Sequence, residues 1–227
     1  MKKNLYSVVL LEEVVERIDK MAYEQNSNRS QLINEILADK VGLYTPQQKI
    51  KSIIGQINDT ISILDNIQIK SINECGSISF GTYLKYKYKP TIKYSYEFYT
   101  TKDNKYALLK VSSRTKSEDL SLHLLNFFRL IKEIDKQRFD EIHSREAVSN
   151  ISNDSNNRYS REFLSGISLE EIEENQIAQY LSSYLIMLDE SLKYYFLNLN
   201  KPTNQLIDEI DKIYCKYLRN LILFKKN

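Results

Sequence analysis

The chain has 227 residues, of which 42% are hydrophobic and 27% charged, and its 32 basic residues nearly balance 30 acidic ones. This length fits one large domain or a small module attached to a larger one, and a net charge of +2 gives no bulk attraction to a polyanion. No apolar run approaches the roughly 18 residues that a membrane-spanning helix needs.

The two cysteines bear on the cellular compartment. Cys75 and Cys215 lie far apart without a metal-binding spacing, and the first residues lack the apolar core of a signal peptide. We therefore expect a cytoplasmic protein with two ordinary thiols. Its many Ile, Lys, Asn and Tyr residues are typical of AT-rich bacterial genomes.

Residues 1–44 have the pattern of a strand followed by two short helices. Lys3–Leu10 alternates in hydrophobicity, which predicts a strand, and Leu11–Gln25 has one apolar stripe at helical spacing. A second helix is predicted with Ser27 as its N-cap and Gly42 at its end. A lone strand has no hydrogen-bonding partner and two short helices bury little apolar surface, so this module should fold by pairing with a second copy.

Residues 45–143 are predicted to form an α+β domain. Isoleucines recurring every three or four residues predict a connecting helix over Pro46–Asn66, suited to pack against its dimer mate. The period then changes to two, which predicts a three-stranded antiparallel β-meander. A helix over Ser117–Glu141 should pack on this sheet. The predicted strands are Ser77–Tyr88, Thr91–Thr101 and Tyr106–Ser113.

Two turns are predicted in this meander. Thr101-Lys102-Asp103-Asn104 has good turn chemistry and should join the second and third strands as a hairpin. Pro90 cannot donate a ladder hydrogen bond, so we expect it in a turn or on an edge strand.

The last third of the chain is predicted to be a linker and a pair of helices. Residues 144–160 are rich in Ser, Asn, Asp and Arg with little periodicity, which predicts a flexible linker. Residues 161–227 should form a C-terminal helical hairpin, an oligomerisation element. Its first helix would open at the capping box Ser168-Leu169-Glu170-Glu171, and its second would follow Lys201-Pro202.

The order of elements near the N-terminus resembles a known family. The runs Tyr6–Ala22 and Asn28–Ile33 place this chain close to the ribbon-helix-helix DNA-binding proteins typified by Arc, MetJ and CopG, over about residues 3–43. The resemblance implies that two protomers pair their strands into an antiparallel ribbon that enters the major groove, with four helices as the dimer core. Residues 1–44 hold six Lys/Arg against seven Asp/Glu, so DNA contacts there depend on arrangement rather than on bulk charge.

The resemblance also implies which strand residues face the bases. If Tyr6, Val8 and Leu10 point inward, the pleat sends the alternate residues outward to the groove. Apolar side chains there can contact thymine methyl groups, and one hydroxyl can form a hydrogen bond, so direct readout should be modest. The opposite phase, with Asn4, Tyr6 and Val8 outward, stays open. The predicted base-facing residues are Lys3, Leu5, Ser7 and Val9.

A second implied contact is a phosphate clamp at the start of the second helix. Exposed amides of Asn28 and Arg29 would point at a DNA phosphate, and the helix dipole would favour its negative charge. The side chains of Arg29 and Ser30 would add contacts. The alternative is plain capping by Ser27 with Asn28 and Arg29 in solvent.

Lysine and aromatic residues interleave over 83–89 and 92–99. This pattern occurs in stacking platforms for single-stranded nucleic acid. Strict alternation instead favours a half-buried sheet, with Leu84, Tyr86 and Tyr88 on one face and lysines on the solvated face. That lysine face would be able to touch DNA flanking the ribbon or an acidic partner.

The sequence offers no catalytic constellation. It has no glycine-rich phosphate loop, nucleophile motif or paired catalytic carboxylates. His123 and His143 have no Cys, Asp or Glu at ligand spacing, so we expect neither a metal nor another cofactor. An enzyme is not expected.

The main hypothesis is therefore a homodimeric, sequence-specific regulator of transcription that binds double-stranded DNA and acts as a repressor. Residues 45–227 would serve oligomerisation above the dimer, effector sensing or a protein partner. Two alternatives stay open: a plasmid partition or copy-control protein, and a dimeric interaction scaffold that does not bind DNA.

Overall fold

The computed structural model divides the chain into two units, residues 1–49 and 50–227, each described below by itself. At residues 139–142, 149–152 and 218 the description covers the backbone alone. The residues described are 5–25, 27–74, 76–99, 106–142, 149–152, 158–163, 172–218 and 220.

The first unit contains two helices, α1 (Glu12–Glu24) and α2 (Arg29–Lys40). The two predicted helices are thus confirmed, but the N-cap of α2 is Asn28 and not Ser27. The residues before α1, from 5 to 11, form neither helix nor strand in the single chain. A strand in that position would need hydrogen bonds from another strand, and the first unit offers none among its described residues.

Helix α3 (Pro46–Ser62) confirms the predicted connecting helix, although it ends four residues earlier than expected. Its start is a capping box: the Thr45 amide donates to Gln48 Oε1 at 2.7 Å, and the Gln48 amide donates to Thr45 Oγ1 at 3.2 Å. Pro46 occupies the first helical position, where a missing amide hydrogen costs nothing. Its isoleucines lie in the core of the second unit, so they are already covered within one chain; they are Ile50, Ile53, Ile54, Ile57 and Ile61.

The second unit is built on one antiparallel sheet of six strands in the described residues, in the order β1-β2-β3-β4-β6-β5. The prediction of a three-stranded meander is therefore too small, although its three strands are adjacent and antiparallel as expected. The strands are β1 (Gln68–Asn73), β2 (Ser77–Tyr83), β3 (Thr91–Phe98), β4 (Ala107–Ser113), β5 (Ser149–Ser152) and β6 (Arg158–Phe163).

The sheet has one apolar and one polar face, and β3 shows the alternation most clearly. Ile92, Tyr94, Tyr96 and Phe98 are buried, whereas Lys93 between them is exposed. Strand β4 repeats the pattern with buried Leu109 beside exposed Lys110. This alternation confirms the predicted half-buried sheet, with helices on one side and solvent on the other.

Three further helices complete the second unit: α4 (Glu118–Ile142), α5 (Glu174–Leu197) and α6 (Thr203–Leu218). The hydroxyl of Tyr96 donates to the Leu181 carbonyl at 2.8 Å, which places α5 against the buried face of β3. Five residues (198–202) join α5 to α6, and Glu190 of α5 pairs with Lys216 of α6 at 3.1 Å, an arrangement that fits the predicted antiparallel hairpin. The predicted capping box at 168–171 and the turn at 101–104 lie outside the described residues.

The prediction of a flexible linker over 144–160 is wrong. Strand β5 and the first half of β6 lie within it, and β6 pairs with β4 in the interior of the sheet. Residues 161–227 are likewise not a separate helical hairpin, since β6 ends at Phe163 and α5 and α6 share one core with the sheet. The α+β class is confirmed; the division at 144–160 was wrong because these strands are short and rich in Ser and Arg.

Candidate nucleic-acid interface

The segment before α1 carries large apolar side chains that are exposed in the described part of the chain. Leu5 and Val9 are each 99% exposed, whereas Tyr6, Val8 and Leu10 are 79%, 69% and 40% exposed. The alternate residues predicted to point inward are thus the less exposed set. Ser7 is exposed with Leu5 and Val9, and Lys3 lies outside the described residues.

Helices α1 and α2 share a very small core. Only Ile18, Ala22 and Leu32 form a buried apolar cluster in the described part of this unit, with Ile33 packed against it. Fully burying one large apolar side chain stabilises a fold by about 1.5–3 kcal/mol, so three residues cannot offset the ordering of nearly thirty. Further apolar side chains of this unit stay exposed: Val14, Met21, Ile36, Leu37, Val41, Leu43 and Tyr44.

The start of α2 is shaped by Asn28. Its backbone is extended, and its side-chain oxygen accepts a hydrogen bond from the Gln31 amide at 2.9 Å. The first intrahelical bond runs from the Leu32 amide to the Asn28 carbonyl at 3.0 Å. The amides of Arg29 and Ser30 precede that bond, so the helix gives them no backbone acceptor.

Arg29 is held by α1. Its Nε donates to Asp19 Oδ1 at 2.6 Å, and its Nη2 donates to Asp19 Oδ2, which makes a bidentate pair between the helices. The hydrogen bond from Arg29 holds the pKa of Asp19 below its ordinary value of 3.8. Arg29 therefore links α2 to α1 while its side chain stays 53% exposed, and its contact with a phosphate stays a prediction.

The predicted clamp residues are consecutive, so the structure brings them together, but their roles differ. Asn28 caps the helix, Arg29 ties it to α1, and Ser30 is exposed in its first turn. That first turn holds no acidic residue, whereas the first turn of α1 holds Glu12 and Glu13. The positive end of the α2 dipole is thus left without an intramolecular carboxylate in its first turn.

The second unit contains a buried polar cluster that the sequence did not reveal. Asp135 of α4 lies 2.7 Å from Arg161 Nη1 of β6, and the two side chains are 2% and 0% exposed. Asp135 also accepts hydrogen bonds from Tyr214 of α6 at 2.7 Å, Tyr184 of α5 at 2.8 Å and Tyr159 of β6 at 3.2 Å. Four elements of the fold therefore meet on one carboxylate.

This cluster has a structural role. The guanidinium carbon of Arg161 lies 4.1 Å from the ring centroid of Tyr184 and 4.8 Å from that of Phe163, so aromatic faces enclose the cation. Burial raises the pKa of Tyr184 and of Tyr214 well above the ordinary value, which keeps both hydroxyls as donors. Asp135, Arg161, Tyr159 and Tyr184 are each at most 2% exposed.

No metal-binding arrangement is found in the part of the chain that the structure describes: no three His, Cys, Asp or Glu side chains lie together there. His123 instead lies 3.5 Å from Asp119 and contacts the rings of Tyr86, Tyr195 and Phe196. None of the described helices combines the length and apolar character needed to cross a lipid bilayer. Comparison with models of protein families, with curated proteins and with solved structures gave no match.

Proposed function

We propose that the chain is a homodimeric, sequence-specific regulator of transcription that binds double-stranded DNA and represses by occupying a promoter. A second copy completes the first unit: the two N-terminal segments pair as an antiparallel ribbon, and the α1 and α2 helices of both copies form one core. The ribbon lies in the major groove, and the α2 N-termini bind the flanking phosphates.

The observation that carries this proposal is the uncovered apolar surface of residues 5–44. Its buried cluster of three side chains is too small to stabilise two helices, while more than four times as many large apolar residues remain exposed around it. A second copy of the same surface would cover these residues and give residues 5–10 the hydrogen-bonding partner that a strand requires.

The exposure pattern of the segment supports one strand phase. Tyr6, Val8 and Leu10 are less exposed than Leu5 and Val9. In the proposed ribbon the second set faces the groove, where Leu5 and Val9 contact thymine methyl groups and Ser7 forms a hydrogen bond. Readout by these residues is modest, so DNA shape contributes to specificity.

The α2 N-terminus supplies the phosphate contact through its backbone. The amides of Arg29 and Ser30 and the Ser30 hydroxyl are the donors, and the absence of an acid from the first turn of α2 leaves its dipole available to an anion. Arg29 acts through its bidentate pair with Asp19, which orients the helix for this contact.

The test is a selection of duplexes from a random pool with the full chain, followed by gel shifts with enriched and scrambled duplexes. The key variant is Ser30→Asp, at the second position of α2. An acid there suits the helix dipole and preserves the fold, but it repels a phosphate. We expect at least about tenfold weaker binding of the enriched duplex, because like charges in contact cost more than 1.4 kcal/mol.

The matched control is Asn204→Asp, which places the same charge at the second position of the exposed start of α6. It should bind like the unmodified chain. If no duplex is enriched, the regulator proposal is wrong. If the two variants bind an enriched duplex alike, the phosphate contact at the start of α2 is wrong. A dimer that fails to bind DNA would favour the interaction scaffold, which the exposed Leu5 and Val9 also suit. Enriched duplexes that map to a plasmid origin or centromere-like repeat would favour the partition or copy-control function.

A further inference from the structure

The strand register brings three basic segments of the second unit to one end of its sheet. Strand β2 ends at Tyr83 opposite Thr91, where β3 begins, and β4 ends at Ser113 opposite Ile92. The β2–β3 connection and the residues after β4 therefore emerge side by side. We call the exposed cations of these segments the basic end: Lys85, Lys87, Lys89, Lys93, Arg114 and Lys116.

The basic end carries an excess of positive charge. Residues 83–93 contain four lysines and no acidic residue, and residues 114–119 contain two basic and two acidic residues. Of those two acids, Asp119 accepts a hydrogen bond from the Tyr86 hydroxyl and lies 3.8 Å from Lys87. Asp119 therefore offsets part of the charge of Lys87, and six cations against two acids leave an excess of positive charge at this end.

The β2–β3 connection has a strained and well-anchored backbone. Tyr88 and Lys89 have positive φ angles of 62° and 44°, a backbone region that residues other than glycine rarely adopt. Hydrogen bonds from the Leu84 amide to the Pro90 carbonyl at 3.0 Å and from the Lys89 amide to the Tyr86 carbonyl at 2.9 Å hold it. The predicted strand thus ends at Tyr83 instead of Tyr88, and Tyr88 does not join the buried face but is 99% exposed.

We propose that the basic end binds the sugar-phosphate backbone of duplex DNA as a second contact surface, an inference that rests on the proposed regulator function. Three adjacent strands span about 10 Å, which matches roughly three phosphates of one DNA strand. Lysine ammonium groups and the Tyr88 hydroxyl are donors that phosphate oxygens accept. The strained backbone keeps Tyr88 at the surface beside these lysines.

Charge complementarity favours DNA as the occupant. Residues 1–44 carry six basic and seven acidic residues, so the first unit attracts a polyanion only locally, at its helix termini. The basic end supplies the attraction that the first unit lacks. It contributes affinity and salt dependence but no sequence preference, because phosphates are the same in every sequence.

The test measures binding of the full chain to a random-sequence duplex between 50 and 200 mM salt, comparing Lys85→Gln/Lys89→Gln with the unmodified chain. Both lysines are exposed, and glutamine keeps the length of the side chain while removing the charge. Loss of two phosphate contacts should reduce the slope of log K against log salt by about 1.8. Across that salt range the unmodified chain should then lose about tenfold more affinity than the variant.

The matched control is Lys132→Gln/Lys136→Gln, which removes two exposed charges from α4. These residues lie more than three turns along the helix from its start, roughly 20 Å away. The control should keep the slope of the unmodified chain. Equal slopes for the two double variants would overturn the proposal. So would a result in which Lys85→Gln/Lys89→Gln weakens binding to a single-stranded oligonucleotide but not to the duplex.

The results distinguish a failure of this inference from a failure of the proposed function. Suppose that the chain is a regulator but the basic end does not bind DNA. Enriched duplexes then still bind, Ser30→Asp still weakens that binding, and the two double lysine variants have the same salt slope. Suppose instead that the basic end binds DNA but the chain is not a sequence-specific regulator. The random duplex then binds, its salt slope falls only in Lys85→Gln/Lys89→Gln, and no sequence is enriched. A chain that binds no duplex at 50 mM salt overturns both.

Discussion

Replacing Asp135 by alanine should destabilise the second unit severely. The substitution leaves the Arg161 guanidinium, which is 0% exposed, without its counter-ion at 2.7 Å and removes the acceptor of three tyrosine hydroxyls. Breaking a buried ion pair by removing one partner costs about 3–5 kcal/mol. Because a domain of this size has only about 5–15 kcal/mol of stability, a large share should be lost.

The loss is measurable as urea unfolding followed by circular dichroism, and as a fall in Tm. At about 2–4 °C per kcal/mol, the Tm of the second unit should drop by about 6–20 °C. Asp208→Ala is the control, because Asp208 is exposed on α6 and its removal should change stability by less than about 0.5 kcal/mol. A loss below about 1 kcal/mol for Asp135→Ala would refute the role of the cluster.

A double-mutant cycle separates the ion pair from the packing around it. Arg161→Met alone should also be costly, because it leaves the Asp135 carboxylate buried without a cation. The double replacement of both residues should cost less than the sum of the two single ones. Additive losses would show that the pair is not coupled.

Three smaller predictions concern single side chains. Burial raises the pKa of Asp189 against the opposing effect of Lys193, so this carboxylate destabilises the fold once it ionises. As pH falls from 7 through the raised pKa, the free energy of unfolding of the unmodified chain should therefore rise relative to that of Asp189→Asn. Parallel pH profiles of the two proteins would contradict this. Asn28→Ala should destabilise α2 by about 1 kcal/mol, seen as faster hydrogen exchange of its amides, while Asn28→Asp keeps the capping oxygen and should not. Arg29→Ala should let the pKa of Asp19 rise toward 3.8 in a carboxyl NMR titration; the pair is present above that pH and is lost on acidification through the lowered pKa, so an unchanged titration would rule it out.

Regular apolar spacing made much of the fold predictable. The isoleucines of α3 recur every three or four residues, and all five from Ile50 to Ile61 that fit this spacing are buried. Strand β3 alternates without exception from Ile92 to Phe98, and its pairing with β4 was predicted from that period together with the turn residues between the two strands. In these elements the burial of each residue follows from the spacing of its neighbours in the sequence, so the hydrophobic pattern was sufficient to predict them.

Strand β6 was missed because a polar residue occupies one of its buried positions. In β6 the buried side of the strand carries Arg161 between Tyr159 and Phe163, so the segment reads as a charged linker. Its burial is possible only because Asp135 and two tyrosines arrive from other elements, which no local window reveals. At the N-terminus the pair between Arg29 and Asp19 was likewise missed, because Asp19 lies in the other helix and the local sequence does not place it beside Arg29.

The central claim is that two copies pair through the N-terminal unit and bind DNA together. Its most direct test is the mass of the complex between the full chain and one enriched duplex, measured by sedimentation equilibrium at micromolar concentration. The complex should exceed the mass of the duplex by twice the 26.8 kDa of one chain, or by a multiple of that pair. An increase of one chain per duplex, or a duplex that stays unbound, would contradict the claim.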